Sequence, residues 1–249
     1  MNVTDSVVQI VPVKAYFMVP SNAAEWHLVT PYLPGGNLNN LANKIKEQHR
    51  YGDIREIDAA FRPSFHKFLR TLEWLHGRGF CHDDVKLANI FIDEDGNWVL
   101  GDLGNIRHVN HPYHSSRIWL QDNKQLADCR ANDAFRALKT YLQFLRRATN
   151  DGISFDVEFF KRKHGFSRLY WRAITDSASM SAAGIRGLSE TLDPRQLPYD
   201  RARETPVLGL GRRRALSNAV NEALRTMLSE RTARLAALTW IFGVPVGEC

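Results

Sequence analysis

Asp84, Lys86 and Asn89 stand within the run His82-Asp83-Asp84-Val85-Lys86-Leu87-Ala88-Asn89. A further acidic residue, Asp102, follows in Asp102-Leu103-Gly104, after the apolar stretch Trp98-Val99-Leu100. These are the residue types that metal-assisted phosphoryl transfer uses. One carboxylate orients an attacking hydroxyl, a lysine neutralises the moving phosphate, and an amide oxygen with another carboxylate holds Mg²⁺. Catalytic work falls on Asp84 and Lys86 in this reading, and metal ligation on Asn89 and Asp102.

Several elements have to place these groups. Phe65, Phe68, Leu69, Leu72 and Leu75 recur at three- and four-residue spacing and predict a helix over 63–76. Pro63 suits its first turn, and Gly77 and Gly79 suit its exit. Ile90-Phe91-Ile92 and Trp98-Val99-Leu100, separated by Asp95-Gly96, read as a β-hairpin that brings Asn89 and Asp102 from its two ends toward one cleft. Leu138, Tyr141, Leu142 and Leu145 share one face of a second helix over 130–148. Upstream, residues 7–18 are apolar and β-branched and predict a strand; Ser21-Asn22 marks a turn. A second strand is predicted over 26–33. Pro34-Gly35-Gly36 stops it, and a polar helical stretch begins near Asn37. Downstream, residues 155–175 look helical and aromatic, 184–206 loop-like, and 211–241 amphipathic and helical.

In order and spacing, the run from His82 to Gly104 resembles the catalytic and metal-binding segments of eukaryotic protein kinases, H-R-D-x-x-x-x-N followed by D-F-G. The resemblance covers residues 7–148 and implies an α+β fold. That fold is a mostly helical C-lobe with a catalytic β-hairpin and a reduced N-lobe built from a pair of strands. The expected division is 1–36 for remnant N-lobe strands and hinge, 37–206 for the kinase-like C-lobe, and 207–249 for a C-terminal amphipathic helix packed on it. The resemblance also implies ATP and Mg as cofactors. A Lys two residues after the catalytic Asp is similar to the serine/threonine enzymes. Carried over by residue, Asp84 accepts the substrate hydroxyl's hydrogen bond, Lys86 contacts the transferred phosphate, and Asn89 and Asp102 ligate the metal. The Pro31 carbonyl and Leu33 amide take adenine, Thr30 falls at the gatekeeper position, Phe91 floors the adenine pocket and Asn37 reaches the ribose. Asp133, or alternatively Asp128, braces the backbone of the catalytic loop.

The departures from the family pattern shape the expected function. Asp83 replaces the Arg that pairs with an activation-loop phosphate, and two adjacent carboxylates repel a phosphate. Leu103 replaces a Phe, and no Ala-Pro-Glu precedes the central helix. No glycine-rich phosphate loop precedes the hinge. Val11-Pro12-Val13-Lys14 imitates the strand carrying the ATP-anchoring lysine, but too few residues separate Lys14 from Thr30 for a helix bearing its partner Glu. Lys14 is therefore expected on the following strand. Gly209-Leu210-Gly211 precedes three arginines and reads as a helix start rather than a phosphate loop. Two functions follow: weak ATP- and Mg-dependent phosphorylation of Ser/Thr hydroxyls, or an inactive pseudokinase acting as a protein-binding module. His108, His111 and His114 follow closely, but Pro112 breaks any helical alignment of metal ligands.

Composition fits a globular chain. Net charge is +6 with a pI near 9.3, which reads either as a solvated basic surface or as attraction to an acidic partner. No aromatic-basic repeat accompanies it, so nucleic acid is not expected, and the expected partner is a protein substrate or protein partner. No apolar run approaches the ~20 residues of a membrane span, and no signal peptide is read at the N-terminus. The 3 cysteines, Cys81, Cys129 and Cys249, are widely spaced and suggest neither a disulfide framework nor a zinc pattern. A reducing cytoplasmic or nuclear setting is the expectation. Nothing in the sequence sets the oligomeric state.

Overall fold

The computed structural model describes residues 8–20, 25–176, 180–195 and 210–225. Near the N-terminus, the Val11 N–H donates to the Leu100 carbonyl and the Leu100 N–H to the Gln9 carbonyl, each at 2.8 Å. Pro12 has no N–H to continue that ladder. The strand expected over 7–18 therefore divides, and only β1 (Ala15–Val19) forms beyond it. It pairs antiparallel with β2 (Glu25–Val29), Tyr16 opposite Leu28. β2 ends short of the expected 33, where Pro31 likewise lacks a donor.

Asn37 then caps α1 (Leu38–Glu47). Its side-chain oxygen accepts from the Asn39 and Asn40 N–H groups, and Asn40 returns a bond to the Asn37 N–H. Leu38, Ala42 and Ile45 form the buried face of α1. The next helix, α2 (Ile54–Gly77), starts well before the expected 63. Asp53 caps it, accepting from the Arg55 N–H at 2.8 Å. Pro63 thus lies in its interior, not in its first turn. An interior proline costs about 3 kcal/mol in an isolated helix. Here the buried stripe Ile54, Ile57, Phe65, Phe68, Leu72 runs through it. Arg62, beside the proline, is anchored on Asp58 at 2.8 Å and on Ser189 Oγ at 2.9 Å.

A two-residue strand, β3 (Phe80–Cys81), leads from α2 to the catalytic turn and pairs with β6 (Arg107–His108). A 3₁₀ turn, Leu87–Asn89, precedes the hairpin β4 (Ile90–Ile92) and β5 (Trp98–Leu100), which has the expected bounds. The long α3 (Cys129–Ala148) is the centre of the molecule. Leu138, Tyr141, Leu142 and Leu145 are buried as expected, and so are Ala134, Ala137 and Phe144. Phe65 stacks on Tyr141 with ring centroids 4.2 Å apart, and Trp98 meets Phe144 edge-on at 5.3 Å. α2, the hairpin and α3 therefore share one core, each such side chain contributing roughly 1.5–3 kcal/mol of burial.

The aromatic stretch after 150 forms two helices, α4 (Gly152–Lys161) and α5 (Gly165–Thr175), separated at Arg162 in the left-handed region. The loop expected over 184–206 is overturned in its first part by α6 (Ala182–Glu190). Ser181 Oγ caps it at the Gly184 N–H, and its buried apolar residues are Ala182 and Ile185, with Leu188 partly buried beside them, too thin a stripe to read in sequence. α7 (Leu210–Ala223) covers the first part of the helix expected over 211–241 and ends at Ala223, with Leu224 and Arg225 outside it; residues beyond 225 lie outside the described ones. Val220 and Leu224 join the main core. No described helix is long and apolar enough to cross a membrane.

The cysteine expectation is corrected: Cys81 and Cys129 form a disulfide. Their 48-residue separation hides a contact made when β3 meets the first turn of α3. Both are fully buried beside Trp119.

Candidate active site

The catalytic turn hangs from α3. Asp133, fully buried, accepts the His82 N–H at 2.6 Å and the Asp83 N–H at 2.9 Å, and His76 Nε2 lies 3.2 Å from it. Burial pushes its carboxyl pKa up, but the bond to His76, the charges of His76 and Arg136 and the His82 amide hold it below the ordinary value. Asp133 is thus the brace. The alternative, Asp128, is the exposed N-cap of α3, bonded to the Arg130 N–H.

From that turn Asp84 points inward. Its Oδ2 accepts from Lys86 Nζ at 2.7 Å and from Asn89 Nδ2 at 3.0 Å. Asn89 Nδ2 also holds the Asp84 carbonyl at 2.9 Å. Both Asn89 bonds use the amide hydrogens, leaving its oxygen for another partner. Asp84 Oδ1 is buried without a hydrogen-bond partner. The expected trio therefore meets in one cluster.

Asp102 sits at the same open end of the hairpin. Ile90 pairs with Leu100, and the Gly101 N–H donates to the Asn89 carbonyl at 2.9 Å. Asp102 has left-handed backbone angles (φ 55°, ψ 66°), and its carboxylate is exposed. Gly101 is required beside it, since a Cβ there would lie 2.6 Å from the Phe91 ring and 3.1 Å from Val11. The oxygens of Asn89, Asp102 and Asp84 are the hard donors that Mg²⁺ takes.

Two features escaped the sequence. His82 accepts the Asp84 N–H on Nδ1 at 3.3 Å and bonds the Gly101 carbonyl through Nε2 at 2.9 Å. One ring thereby ties the Asp84 segment to the Asp102 segment. Asp83 is a hub. It is buried, with φ 63°, and its Oδ2 accepts from His114 Nε2 at 2.8 Å and Arg107 at 3.1 Å. Its carbonyl is held by Arg136 of α3. Burial lowers the Arg136 pKa, against the pull of Asp133, Asp83 and Asp84. The only sequence signal was an acidic residue where the family has Arg. The histidine trio divides accordingly: His114 faces Asp83, while His108 and His111 accept N–H bonds within their own turns.

On the hinge side, the Gly36 N–H bonds the Leu33 carbonyl at 3.1 Å, while the Leu33 amide and Pro31 carbonyl take no main-chain bond among the described residues. Thr30 is exposed. Asn37 bridges to Phe91, so these two converge, although the Asn37 side-chain oxygen is engaged in capping α1. Lys14 is exposed, and its N–H donates to the Val29 carbonyl at 2.8 Å. It therefore stands one residue before β1, which pairs with the strand leading to the hinge, rather than within β1 as expected.

The protein kinase domain model matches residues 4–124. A CBL-interacting serine/threonine-protein kinase 15 of Arabidopsis thaliana is 34% identical over 34% of this chain. An eIF-2-alpha kinase of Schizosaccharomyces pombe is 38% identical over 34% of it. Rho-associated protein kinase 1 of Homo sapiens is 32% identical over 34%. The matched stretch spans only 18%, 5% and 6% of those relatives. Through residues 4–124, just under half of its length, the chain is similar to the protein kinase superfamily. Its mostly helical fold with short strands agrees with that likeness.

Proposed function

We propose that the chain transfers the terminal phosphoryl group of ATP to Ser or Thr hydroxyls of a protein. The observation that carries this reading is the Asp84 carboxylate, with Oδ2 fixed by Lys86 and Asn89 and Oδ1 buried without a partner. A buried polar atom left unpaired needs a reason, and an incoming hydroxyl supplies one. In this reading Asp84 Oδ1 accepts that hydroxyl and aims its oxygen. Lys86, 2.7 Å from the same carboxylate, offers positive charge to the transferred group. Asn89 and Asp102 would hold Mg²⁺, which when bound neutralises charge on the phosphates. Pro31 and Leu33 would take the adenine edge, between Thr30, Phe91 and Asn37. His82 and Asp133 keep the two acidic segments in register, which matters because phosphoryl transfer depends mainly on positioning.

The second reading, a binding module without turnover, draws on one observation. The β1–β2 hairpin exposes apolar side chains, Phe17 and Leu28 among them, and Lys14 stands at its base rather than over the site. Thermal melting with ATP, with and without Mg²⁺, separates the two. Saturating ligand at a hundredfold excess over Kd adds about 2.7 kcal/mol. Asp102→Ala should remove the Mg²⁺-dependent part, Asp84→Asn should keep binding but abolish transfer, and Lys14→Ala should change affinity less than twofold. Absence of any nucleotide stabilisation decides for the binding module.

A further inference from the structure

The ends of α3, α4 and α7 meet around two open, adjoining cavities of about 430 and 530 Å³. Arg146 and Gly152 line both. The first is also bounded by Leu87, Arg147 and Leu224, the second by Ile153, Arg214 and Leu216. Leu87 follows Lys86 and opens the 3₁₀ turn that carries Asn89, so the groove begins at the catalytic turn.

Its charge is one-sided. Arg146, Arg147, Arg213 and Arg214 line it against a single carboxylate, Asp156. Arg146 already takes that carboxylate through two bonds of 2.7 and 2.9 Å. Arg147 is held by neutral groups, Asn39 Oδ1 and Asn43 Oδ1, each at 2.9 Å. Neither Arg147 nor Arg214 has a carboxylate partner among the described residues. A guanidinium steadied by amide oxygens keeps its full charge and is already placed for a forked bond to a carboxylate or phosphate. The rest of the lining is aliphatic or neutral and polar, with Gln143, Ser217 and Asn221 among it, and it holds no ring on which a base could stack, which favours a polypeptide over a nucleic acid strand.

We propose that this groove docks an acidic polypeptide segment, bearing carboxylates or phosphates, that flanks the hydroxyl to be phosphorylated. The proposal names the substrate class of the phosphotransfer reading and rests on it.

The test is fluorescence anisotropy with the full chain and labelled peptides: one serine among glutamates, the glutamine counterpart, and a phosphoserine counterpart. A single-stranded RNA of equal charge is the competitor. The glutamate or the phosphoserine peptide should bind at least tenfold tighter than the glutamine peptide, and whichever is tighter names the anion. Arg147→Glu with Arg214→Glu should abolish that gain. Arg212→Glu, on the exposed part of α7 outside the lining, should keep it. Melting curves check folding. Should the double reversal unfold the chain, Gly152→Leu replaces it, because a Cβ there meets nothing within 4 Å and a larger side chain only fills the groove. Equal affinity for all three peptides overturns the proposal, as does a gain that survives in the folded groove variants. RNA that binds tighter and displaces the peptide overturns it too. Asp102→Ala should still bind the acidic peptide, so a failed kinase reading and a failed groove give different results.

Discussion

The catalytic turn and the β1–β2 hairpin are opposite solutions to holding a short segment in place. From Cys81 to Val85 every residue is buried; His82 and Asp83 are fixed by bonds to other elements, and Asp84 by Lys86 and Asn89 just downstream. In the hairpin, all of β1 is exposed and Leu28 keeps 53% of its surface in solvent. The turn has almost no regular secondary structure and is specified by long-range polar bonds. The hairpin has regular pairing but little packing beneath it. Order at the site comes from buried polar bonds made by Asp133, His82 and Asn89, not from ladder hydrogen bonds.

The strongest way to break this contrast is to remove the turn's anchor. Asp133→Ala leaves two amides, His76 and Arg136 without their carboxylate, and should destabilise the fold by about 3–5 kcal/mol in denaturant unfolding. A loss under about 1 kcal/mol would mean the turn holds itself. The same group sets a pH dependence. Its folded pKa lies below the ordinary 3.8, so its contribution is complete above that value and is lost as pH falls through the folded pKa. Asp133→Asn should flatten the stability profile below pH 3.8.

A smaller effect is expected where the turn's second segment meets the N-terminal strand. Gly101→Ala drives a methyl into the Phe91 ring and Val11, and should lose about 1–3 kcal/mol. Combining it with Phe91→Leu should recover much of that; additive losses would place the clash elsewhere. Least affected should be the hairpin. Leu28→Ser is expected to stay within about 0.5 kcal/mol of the parent. A larger loss would show that its face is covered, and the contrast would collapse.

Sequence showed most where interactions are local. The stripe on α2, the β4–β5 hairpin and the Asp84-Lys86-Asn89 spacing all lie within a few turns of chain, so periodicity and motif spacing exposed them. α2's early start was missed because Pro63 reads as a beginning, whereas Arg62 and the buried stripe carry the helix through it. α6 was missed because its few apolar residues, Ala182, Ile185 and Leu188, sit among glycines and polar groups in a nine-residue helix and give no clear pattern. The Asp83 hub was invisible because His114, Arg107 and Arg136 come from separate elements. The adjacent carboxylates suggested repulsion, yet only Asp84 faces the site while Asp83 turns to its own cations.

The disulfide has a consequence for the chain when it is not folded. Joining residues 48 apart closes a loop containing Asp84, Lys86, Asn89 and Asp102, together with Asp83 and its partners Arg107 and His114. In the loop-closure model a cross-link of that span removes about 4 kcal/mol of denatured-state entropy. The residues that must find one another at the site therefore search a ring rather than an open chain, and the link sits where that ring meets α3.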